Sequence, residues 1–215
     1  MLYGPNSSTN TFRARRFGLF RRLVDDVVER KGICRIVDIG GTRSYWEVFG
    51  GELPWHRIKL TILNLRPEND RPPAITAAVG DARNLSEYPD DSFDVVHSNS
   101  VIEHVGGWHD MLRMAQEVRR IGMHYFVQTP HFWFPVDPHT RTPLFHWMPD
   151  QIRYRIAMVK DCGFWKRCET VGEAMAVADN ARLLDTRQMS YLFPDAEIKR
   201  ERLLGMTKSL VAIRH

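Results

Sequence analysis

The chain has few cysteines, no long apolar run and no repeated or low-complexity segment. Its three cysteines are odd in number and fit no zinc or disulfide spacing, which favours reduced thiols in the cytoplasm. No apolar stretch approaches the ~20 residues that a membrane span needs. Arg and Lys interrupt every candidate leader near the N-terminus. We therefore expect a cytoplasmic protein without a membrane span.

Length and charge predict one globular domain over residues 1–215. Its 215 residues suffice for a full core but not for two domains, and 43% hydrophobic residues are ordinary for a globular chain. The formal net charge is +4, and part of it lies in Arg13, Arg15, Arg16, Arg21 and Arg22. No aromatic or glycine-rich readout element accompanies them, which argues against nucleic acid as a partner. A solvated helix face is the first interpretation, and a phosphate- or membrane-facing patch is the alternative.

Apolar runs that are typical of strands alternate with helical patterns over the first 130 residues. An amphipathic helix is predicted over 11–30, within an N-terminal segment 1–31. Strands are predicted at 33–39, 58–65, 75–79, 93–97 and 125–128, with a helix at 108–120. This alternation predicts a doubly wound, mostly parallel α/β sheet.

The pattern changes after residue 130. Segment 131–149 is rich in Pro, His and aromatic residues without a period, which predicts a substrate loop. Helices are predicted at 150–161, 171–183 and 186–192, and strand-like runs at 197–204 and 209–213. The last two runs are close enough to pair as a hairpin, which would complete a seven-stranded sheet with an antiparallel C-terminal strand.

Glycines and polar side chains lie at the carboxyl ends of four predicted strands. They are Asp38, Gly40 and Gly41 after the first strand, Asn64 and Asp81 after the next two, and Asn99 and Ser100 after the fourth. In an open α/β sheet, ligands bind outside the carboxyl ends of the strands. Each residue also has a local alternative: Asp38 and Asp81 could be turn residues, and Asn99 could cap a helix.

The segments 36–41, 62–68, 80–82 and 93–105 resemble the class I S-adenosylmethionine-dependent methyltransferases. The similarity is greatest to the small branch typified by ubiquinone and menaquinone biosynthesis enzymes, and it covers about 33–130. The resemblance implies a Rossmann-like fold, S-adenosylmethionine as the cofactor and methyl transfer as the activity. It places Asp38, Gly40 and Gly41 at the methionine end, Asn64 at the ribose, Leu65, Asp81 and Ala82 at the adenine, and Asn99 and Ser100 near the sulfonium.

Two positions depart from that family pattern. Thr42 and Ser44 stand where the family continues its glycines, and Arg43 between them could point at the cofactor carboxylate. Asn64 stands where the family has an acidic residue, and neutral hydrogen bonds are weaker than charge-assisted ones. These departures motivate an alternative, a non-catalytic binding domain with the same fold. The absence of Gly-x-Gly-x-x-Gly argues against a nicotinamide dinucleotide.

The acceptor is predicted to be a small molecule or a sugar-like hydroxyl, methylated at oxygen. A base is needed only if the acceptor keeps its proton, and His131, His139 and His104 are the candidates. Each histidine could instead be structural. Spacing in the 131–149 segment fits no zinc signature, so no metal is expected. No feature of the sequence indicates an oligomeric state.

Overall fold

The computed structural model describes residues 8–66 and 75–215; the start of the predicted N-terminal segment and the end of segment 62–68 lie outside them. The helices are α1 (Ser8–Lys31), α2 (Arg43–Phe49), α3 (Trp108–Ile121), α4 (Asp150–Val159), α5 (Val171–Ala178) and α6 (Thr186–Leu192). The strands are β1 (Cys34–Ile39), β2 (Ile58–Asn64), β3 (Ile75–Val79), β4 (Phe93–Asn99), β5 (Gly122–Pro130), β6 (Glu197–Leu203) and β7 (Met206–Arg214).

Seven strands form one sheet in the order β3-β2-β1-β4-β5-β7-β6. The first five are parallel, whereas β7 runs antiparallel to both β5 and β6. The predicted doubly wound sheet with an antiparallel C-terminal strand is therefore confirmed. The strand order reverses between β1 and β4, which makes their carboxyl ends the switch point of the sheet.

Helices cover both faces of the sheet, so its central strands are apolar on both sides. On one face, α1 buries Phe20, Leu23 and Val24 against β1 and β4. On the other face, α3 buries Met111 and Met114, among other side chains. Each such side chain contributes about 1.5–3 kcal/mol of transfer free energy. Because the central parts of the strands are buried in the core, we expect the functional residues at the strand ends and in the loops.

The arginine-rich helix α1 is not a uniformly solvated face. Arg15 and Arg22 are exposed as predicted, but Arg16 is buried and its Nη1 lies 2.6 Å from Glu201 Oε2 on β6. Arg21 pairs with Glu52. The patch is therefore partly used to fix α1 to the sheet.

Helix α2 has no counterpart in the predicted elements. Thr42 caps it, with its Oγ1 accepting a hydrogen bond from the Tyr45 amide, and the helix buries Tyr45 and Trp46. Seven residues are too few to establish a helical period. Helix α5 is shorter than predicted, since it ends at Ala178, and β5 begins earlier, at Gly122.

The 131–149 segment, together with α4 and α5, forms a cap with its own small core. Phe145, Ala157, Ala174 and Val177 pack together there with Cys162 and Cys168. Asp137 fixes the loop, because its Oδ1 accepts hydrogen bonds from the amides of His139 and Thr140 at 2.8 and 2.9 Å. The predicted loop is thus an ordered part of the fold.

None of the helices within residues 8–66 and 75–215 combines the length and the apolar character that crossing a membrane requires.

Candidate functional site

A narrow glycine turn closes β1 at the switch point. Gly40 has φ +71°, and a Cβ there would lie 2.4 Å from Cγ2 of Val101. A Cβ on Gly41 would lie 1.9 Å from Oδ2 of Asp38. Neither position can carry a side chain without moving its neighbours, so the packing of the turn against Val101 and Asp38 requires glycine at both.

Asp38 is buried beneath this turn and is held by two side chains. Its Oδ2 accepts a hydrogen bond from Trp46 Nε1 at 2.6 Å, and its Oδ1 accepts one from His97 Nδ1 at 2.7 Å. His97 stacks on Phe126 with ring centroids 5.8 Å apart. Both carboxylate oxygens thus have partners within the protein, and Asp38 supports the turn from below.

Asn64 supports the same turn from β2. Its Nδ2 donates a hydrogen bond to the Gly41 carbonyl at 2.9 Å, which leaves Oδ1 as an acceptor. An aspartate cannot donate this bond. The neutral residue that departs from the family pattern therefore has a structural reason. Leu65, the next residue, is 71% exposed.

A cavity of about 120 Å³ opens beside the glycine turn. It is lined by Arg13, Asp38, Gly40, Gly41, Thr42, Tyr45, His97, Asn99 and Ser100. Five of the nine residues assigned to the cofactor by resemblance thus line one cavity. Ser100 holds a left-handed φ of +59°, and its Oγ donates to Gln128 Oε1 at 2.9 Å.

The arginine that lines this cavity is Arg13 and not Arg43, the residue that the sequence suggested for the cofactor carboxylate. Arg43 forms an exposed pair with Glu47 one helical turn away, at 2.6 Å. Arg13 of α1 lines the cavity instead. From the sequence, the arginine-rich helix could pack over the cofactor or lie free, and Arg13 was not singled out within it.

Asp81 follows β3 and is engaged by Arg83. The Arg83 amide donates to Asp81 Oδ1 at 3.0 Å, and the Arg83 guanidinium contacts both oxygens, with Nη2 at 2.6 Å from Oδ2. The hydrogen-bonded guanidinium lowers the pKa of the Asp81 carboxyl. Asp81 therefore is a turn residue, as the local alternative predicted, and it also forms an ion pair with Arg83. Ala82 is buried in the core.

A second group of functional side chains lies after β4 and in the 131–149 segment. Glu103 is buried, and its Oε2 accepts a hydrogen bond from Thr129 Oγ1 at 3.0 Å. Its Oε1 has no hydrogen-bond partner among the described residues, and His139 Nε2 lies 3.9 Å from it. The rings of His104 and His139 meet edge to face at 4.7 Å. Burial raises the pKa of the Glu103 carboxyl.

The two histidines are oriented through their Nδ1 atoms. His104 Nδ1 donates to the Asn180 carbonyl at 2.7 Å. His139 Nδ1 lies 3.6 Å from Oδ1 of the buried Asp137. His139 Nε2 faces Glu103 Oε1, and one ligand atom from each of the three residues lies within 4.8 Å of the other two. We call Glu103, His104 and His139 the Glu-His-His cluster.

His131 does not join this cluster. It is buried at the end of β5, where its Nε2 lies 3.4 Å from Thr186 Oγ1. Burial lowers the pKa of the His131 imidazole. The three candidate bases are thus divided into a contacting pair and a separate residue.

A wider pocket of about 490 Å³ lies between the cap and the start of α3. Its lining is mixed, with aromatic rings from Phe132 and Trp133 and charges from Arg153, Arg182 and Asp185. His146 also faces it, and its Nε2 donates to the Phe132 carbonyl at 2.7 Å. The pocket has the size and the mixed polarity of a small-molecule site.

Comparison with known families finds a methyltransferase domain. Residues 55–123, about a third of the chain, match the family described by that name. The matched part begins after β1, so it contains Asn64, Asp81 and the Glu103-His104 pair but not the glycine turn. A comparison with curated proteins gives no match.

Solved structures share the fold at low sequence identity. The N-terminal domain of EvdMO1, solved with SAH bound, has a TM-score of 0.55 and 14% identity, covering 99% of this chain and 82% of that one. A provisionally named methyltransferase, solved with the Haloferax volcanii Trm112 activator, has a TM-score of 0.51 and 14% identity, covering 96% of each chain. A provisionally named zinc-dependent alcohol dehydrogenase from Rhodobacter sphaeroides has a TM-score of 0.52 and 13% identity, covering 88% and 87%.

The strand order, the antiparallel β7 and these likenesses define a Rossmann-like methyltransferase fold. The fold alone does not give the activity, which has to be argued from the site.

Proposed function

We propose that this protein transfers a methyl group from S-adenosylmethionine to a hydroxyl of a small-molecule or sugar-like acceptor. The observation that carries the proposal is the glycine turn at the switch point, with a cavity beside it. The methyltransferase-domain match and the neighbour with SAH bound indicate S-adenosylmethionine as the cofactor.

The methionine end of the cofactor lies in the cavity beside the turn. The backbone of Gly40 and Gly41 approaches the methionine moiety, and Arg13 pairs with its carboxylate, since a guanidinium suits bidentate carboxylate binding. Asn99 and Ser100 flank the sulfonium. The shared lining of the cavity by these residues supports this arrangement.

The nucleoside end extends along β2 and β3. Asn64 Oδ1 accepts a hydrogen bond from a ribose hydroxyl, because its Nδ2 is already used on Gly41. Leu65 is exposed enough to pack on the adenine, with Ala82 beside it. Asp81 accepts from the adenine amino group through its oxygen lone pairs that Arg83 leaves free.

Methyl transfer needs alignment more than acid–base chemistry. The acceptor oxygen forms a bond to the methyl carbon while the carbon–sulfur bond breaks, and the sulfur keeps that electron pair as S-adenosylhomocysteine forms. Holding the reactants in line can supply several kcal/mol of the barrier. The proton of the acceptor hydroxyl passes to the imidazole of His104 or His139 beside Glu103, with His131 as the separate candidate.

A non-catalytic binding domain is the second candidate. It is favoured by the internal engagement of two carboxylates that the family turns toward the cofactor: Asp38 is held by Trp46 and His97, and Asp81 by Arg83. Such a domain would keep the fold without methyl transfer.

Calorimetric titration with S-adenosylmethionine and S-adenosylhomocysteine tests the proposal. We expect micromolar binding of both. Arg13→Ala should weaken binding about 10- to 150-fold, as a charge-assisted hydrogen bond is worth about 1.5–3 kcal/mol. Arg43→Ala is the matched control, and its affinity should stay within about twofold because exposed pairs at this spacing contribute only about 0.2–0.5 kcal/mol.

Three other outcomes would change the assignment. No binding of either compound by the folded protein would favour the non-catalytic domain. A loss with Arg43→Ala but not with Arg13→Ala would mean that the methionine end lies elsewhere. A labelled-methyl screen in which only tRNA or protein fractions accept methyl groups would overturn the small-molecule acceptor.

A further inference from the structure

The Glu-His-His cluster holds three metal-ligand side chains at close range. One ligand atom from each of Glu103, His104 and His139 lies within 4.8 Å of the other two. Glu103 and His104 come from the loop after β4, whereas His139 comes from the 131–149 segment. The fold therefore assembles a set that the spacing along the chain does not show.

The buried carboxylate has one oxygen without a partner. Thr129 satisfies Oε2 of Glu103, but Oε1 is buried and accepts no hydrogen bond from the described residues. Leaving a carboxylate oxygen buried and unpaired is costly. His139 Nε2 lies 3.9 Å from this oxygen, which is too long for a hydrogen bond.

One of the two histidines carries the outer contact that a metal-binding imidazole needs, and the other lies near a carboxylate. A ligating histidine almost always donates its other ring N–H to a carbonyl or a carboxylate. His104 Nδ1 donates to the Asn180 carbonyl. His139 Nδ1 lies 3.6 Å from Asp137 Oδ1, which is beyond hydrogen-bond distance, and has no partner among the described residues. The bond from His104 Nδ1 leaves the lone pair of that imidazole on Nε2, and His139 Nε2 is 3.9 Å from Glu103 Oε1.

We infer that Glu103, His104 and His139 form a binding site for one divalent first-row transition-metal ion, with zinc as the expected occupant. Two imidazoles and one glutamate are a donor set that catalytic zinc sites use, with a further position open. Two imidazole nitrogens favour such ions over magnesium and calcium, which prefer oxygen ligands.

The distances require only a small adjustment. Zinc binds nitrogen and oxygen at about 2.0–2.2 Å, which sets tetrahedral ligand atoms about 3.3–3.5 Å apart. The 3.9 Å between His139 Nε2 and Glu103 Oε1 is close to that value. His104 is exposed, so it offers an entry path and can shift toward the ion.

The role of the ion in catalysis rests on the proposed function, but its binding does not. If the protein is a methyltransferase, the open position would take the acceptor hydroxyl. The cation would then favour loss of the hydroxyl proton to solvent, because the ligating lone pairs of both imidazoles would be engaged by the ion. Metal binding and cofactor binding can therefore be measured and can fail separately.

The test is a titration of tag-free, chelator-treated full-length protein with Zn²⁺ by calorimetry and with Co²⁺ by visible absorption. We expect one ion per chain, a Co²⁺ spectrum typical of four or five ligands, and a higher Tm with Zn²⁺. His104→Ala should weaken Zn²⁺ binding at least about 100-fold, since losing an outer contact alone costs about 10–100-fold. Glu103→Gln should do the same.

His109→Ala is the matched control, because His109 is an exposed histidine on α3 outside the cluster. Its affinity for Zn²⁺ should equal that of the unmodified protein. Since His104 is exposed, its variant should fold even if Glu103→Gln does not. Absence of Zn²⁺ and Co²⁺ binding by folded protein, or equal binding by His104→Ala and His109→Ala, would overturn the inference. Metal-free protein that binds S-adenosylmethionine but not Zn²⁺ would refute the metal site alone.

Discussion

The two ends of the β1–β4 strand pair each carry a buried aspartate that links the two strands. At the amino end, Asp94 of β4 accepts hydrogen bonds from the Arg35 amide at 2.8 Å and from Lys31 Nζ at 2.8 Å. At the carboxyl end, Asp38 of β1 accepts from His97 of β4. Both carboxylates are satisfied, so a buried aspartate does not by itself mark a ligand site.

The difference lies in what surrounds each aspartate. Around Asp94 the donors are half-exposed cations, and no buried polar atom of that aspartate lacks a partner within the described residues. At the carboxyl end, His97 Nε2 and Glu103 Oε1 are buried without partners there. The glycine turn and the cavity are also at that end. A buried nitrogen without a partner among the described residues, His124 Nδ1, lies near the amino end as well. The glycine turn and the cavity therefore distinguish the proposed ligand-binding end from the structural end.

The largest expected effect is that of Gly41→Ala. A Cβ 1.9 Å from Asp38 Oδ2 must push the carboxylate away from Trp46 and His97. We expect the affinity for S-adenosylmethionine to fall by more than about 100-fold. The free energy of unfolding should fall by about 2–4 kcal/mol, as in other disruptions of buried polar networks. Calorimetry and urea denaturation measure the two effects.

Gly51→Ala is the control for this variant. A Cβ there has no atom within 4 Å, and the residue lies in the short 3-10 turn Gly50–Glu52. It should leave both quantities nearly unchanged. If Gly41→Ala bound the cofactor normally, the turn would not be the binding element, and the contrast between the two strand ends would fail.

An intermediate effect is expected for Asn64→Asp. If Asn64 merely replaces an acidic family residue, the substitution should improve ribose binding. Because Asn64 Nδ2 donates to the Gly41 carbonyl, a carboxylate there would instead face that carbonyl. We expect about tenfold weaker binding of S-adenosylmethionine, equal to about 1.4 kcal/mol, measured by calorimetry.

Asn64→Ala separates the lost donor from the added charge. It should weaken binding less than Asn64→Asp, since no like-charged oxygens are brought together. Tighter binding by Asn64→Asp would show that the acidic residue serves the ribose and that the bond to Gly41 is dispensable.

The fold could be predicted from the sequence where the pattern is local. The bounds of β3 and α6 agree with the predicted ones, because a short run between turn signals fixes both ends. The glycine pair was found for the same reason. Helix α2 is not predicted from the sequence. It is short, and it positions Trp46 to hydrogen-bond Asp38, a contact that the hydrophobic periodicity of the sequence cannot indicate.

The site could be predicted only in part, because much of it depends on contacts between distant segments. Arg13 reaches the cavity through the packing of α1, and His139 reaches Glu103 through the cap. One signal was available: Arg83 lies two residues after Asp81, a spacing at which an amide can bond the aspartate oxygen.

The smallest effect on the cofactor is expected for Asp94→Asn at the structural end. Burial by itself would raise the pKa of Asp94, but hydrogen bonds from Arg35 and Lys31 hold that pKa below its ordinary value. An unfolded aspartate titrates near pH ~3.9. The stabilisation is therefore present above that pH and is lost as the pH falls through the lower folded pKa.

Asp94→Asn should accordingly bind S-adenosylmethionine as the unmodified protein does. Near neutral pH its free energy of unfolding should be lower by about 1–2 kcal/mol, since surface cations at this site are partly screened by solvent. Below pH ~4 the difference should shrink, because the unmodified carboxyl is then being protonated. Urea denaturation at a series of pH values measures this. A difference that stays constant with pH would mean that packing, not the charge of Asp94, links the two strands at this end.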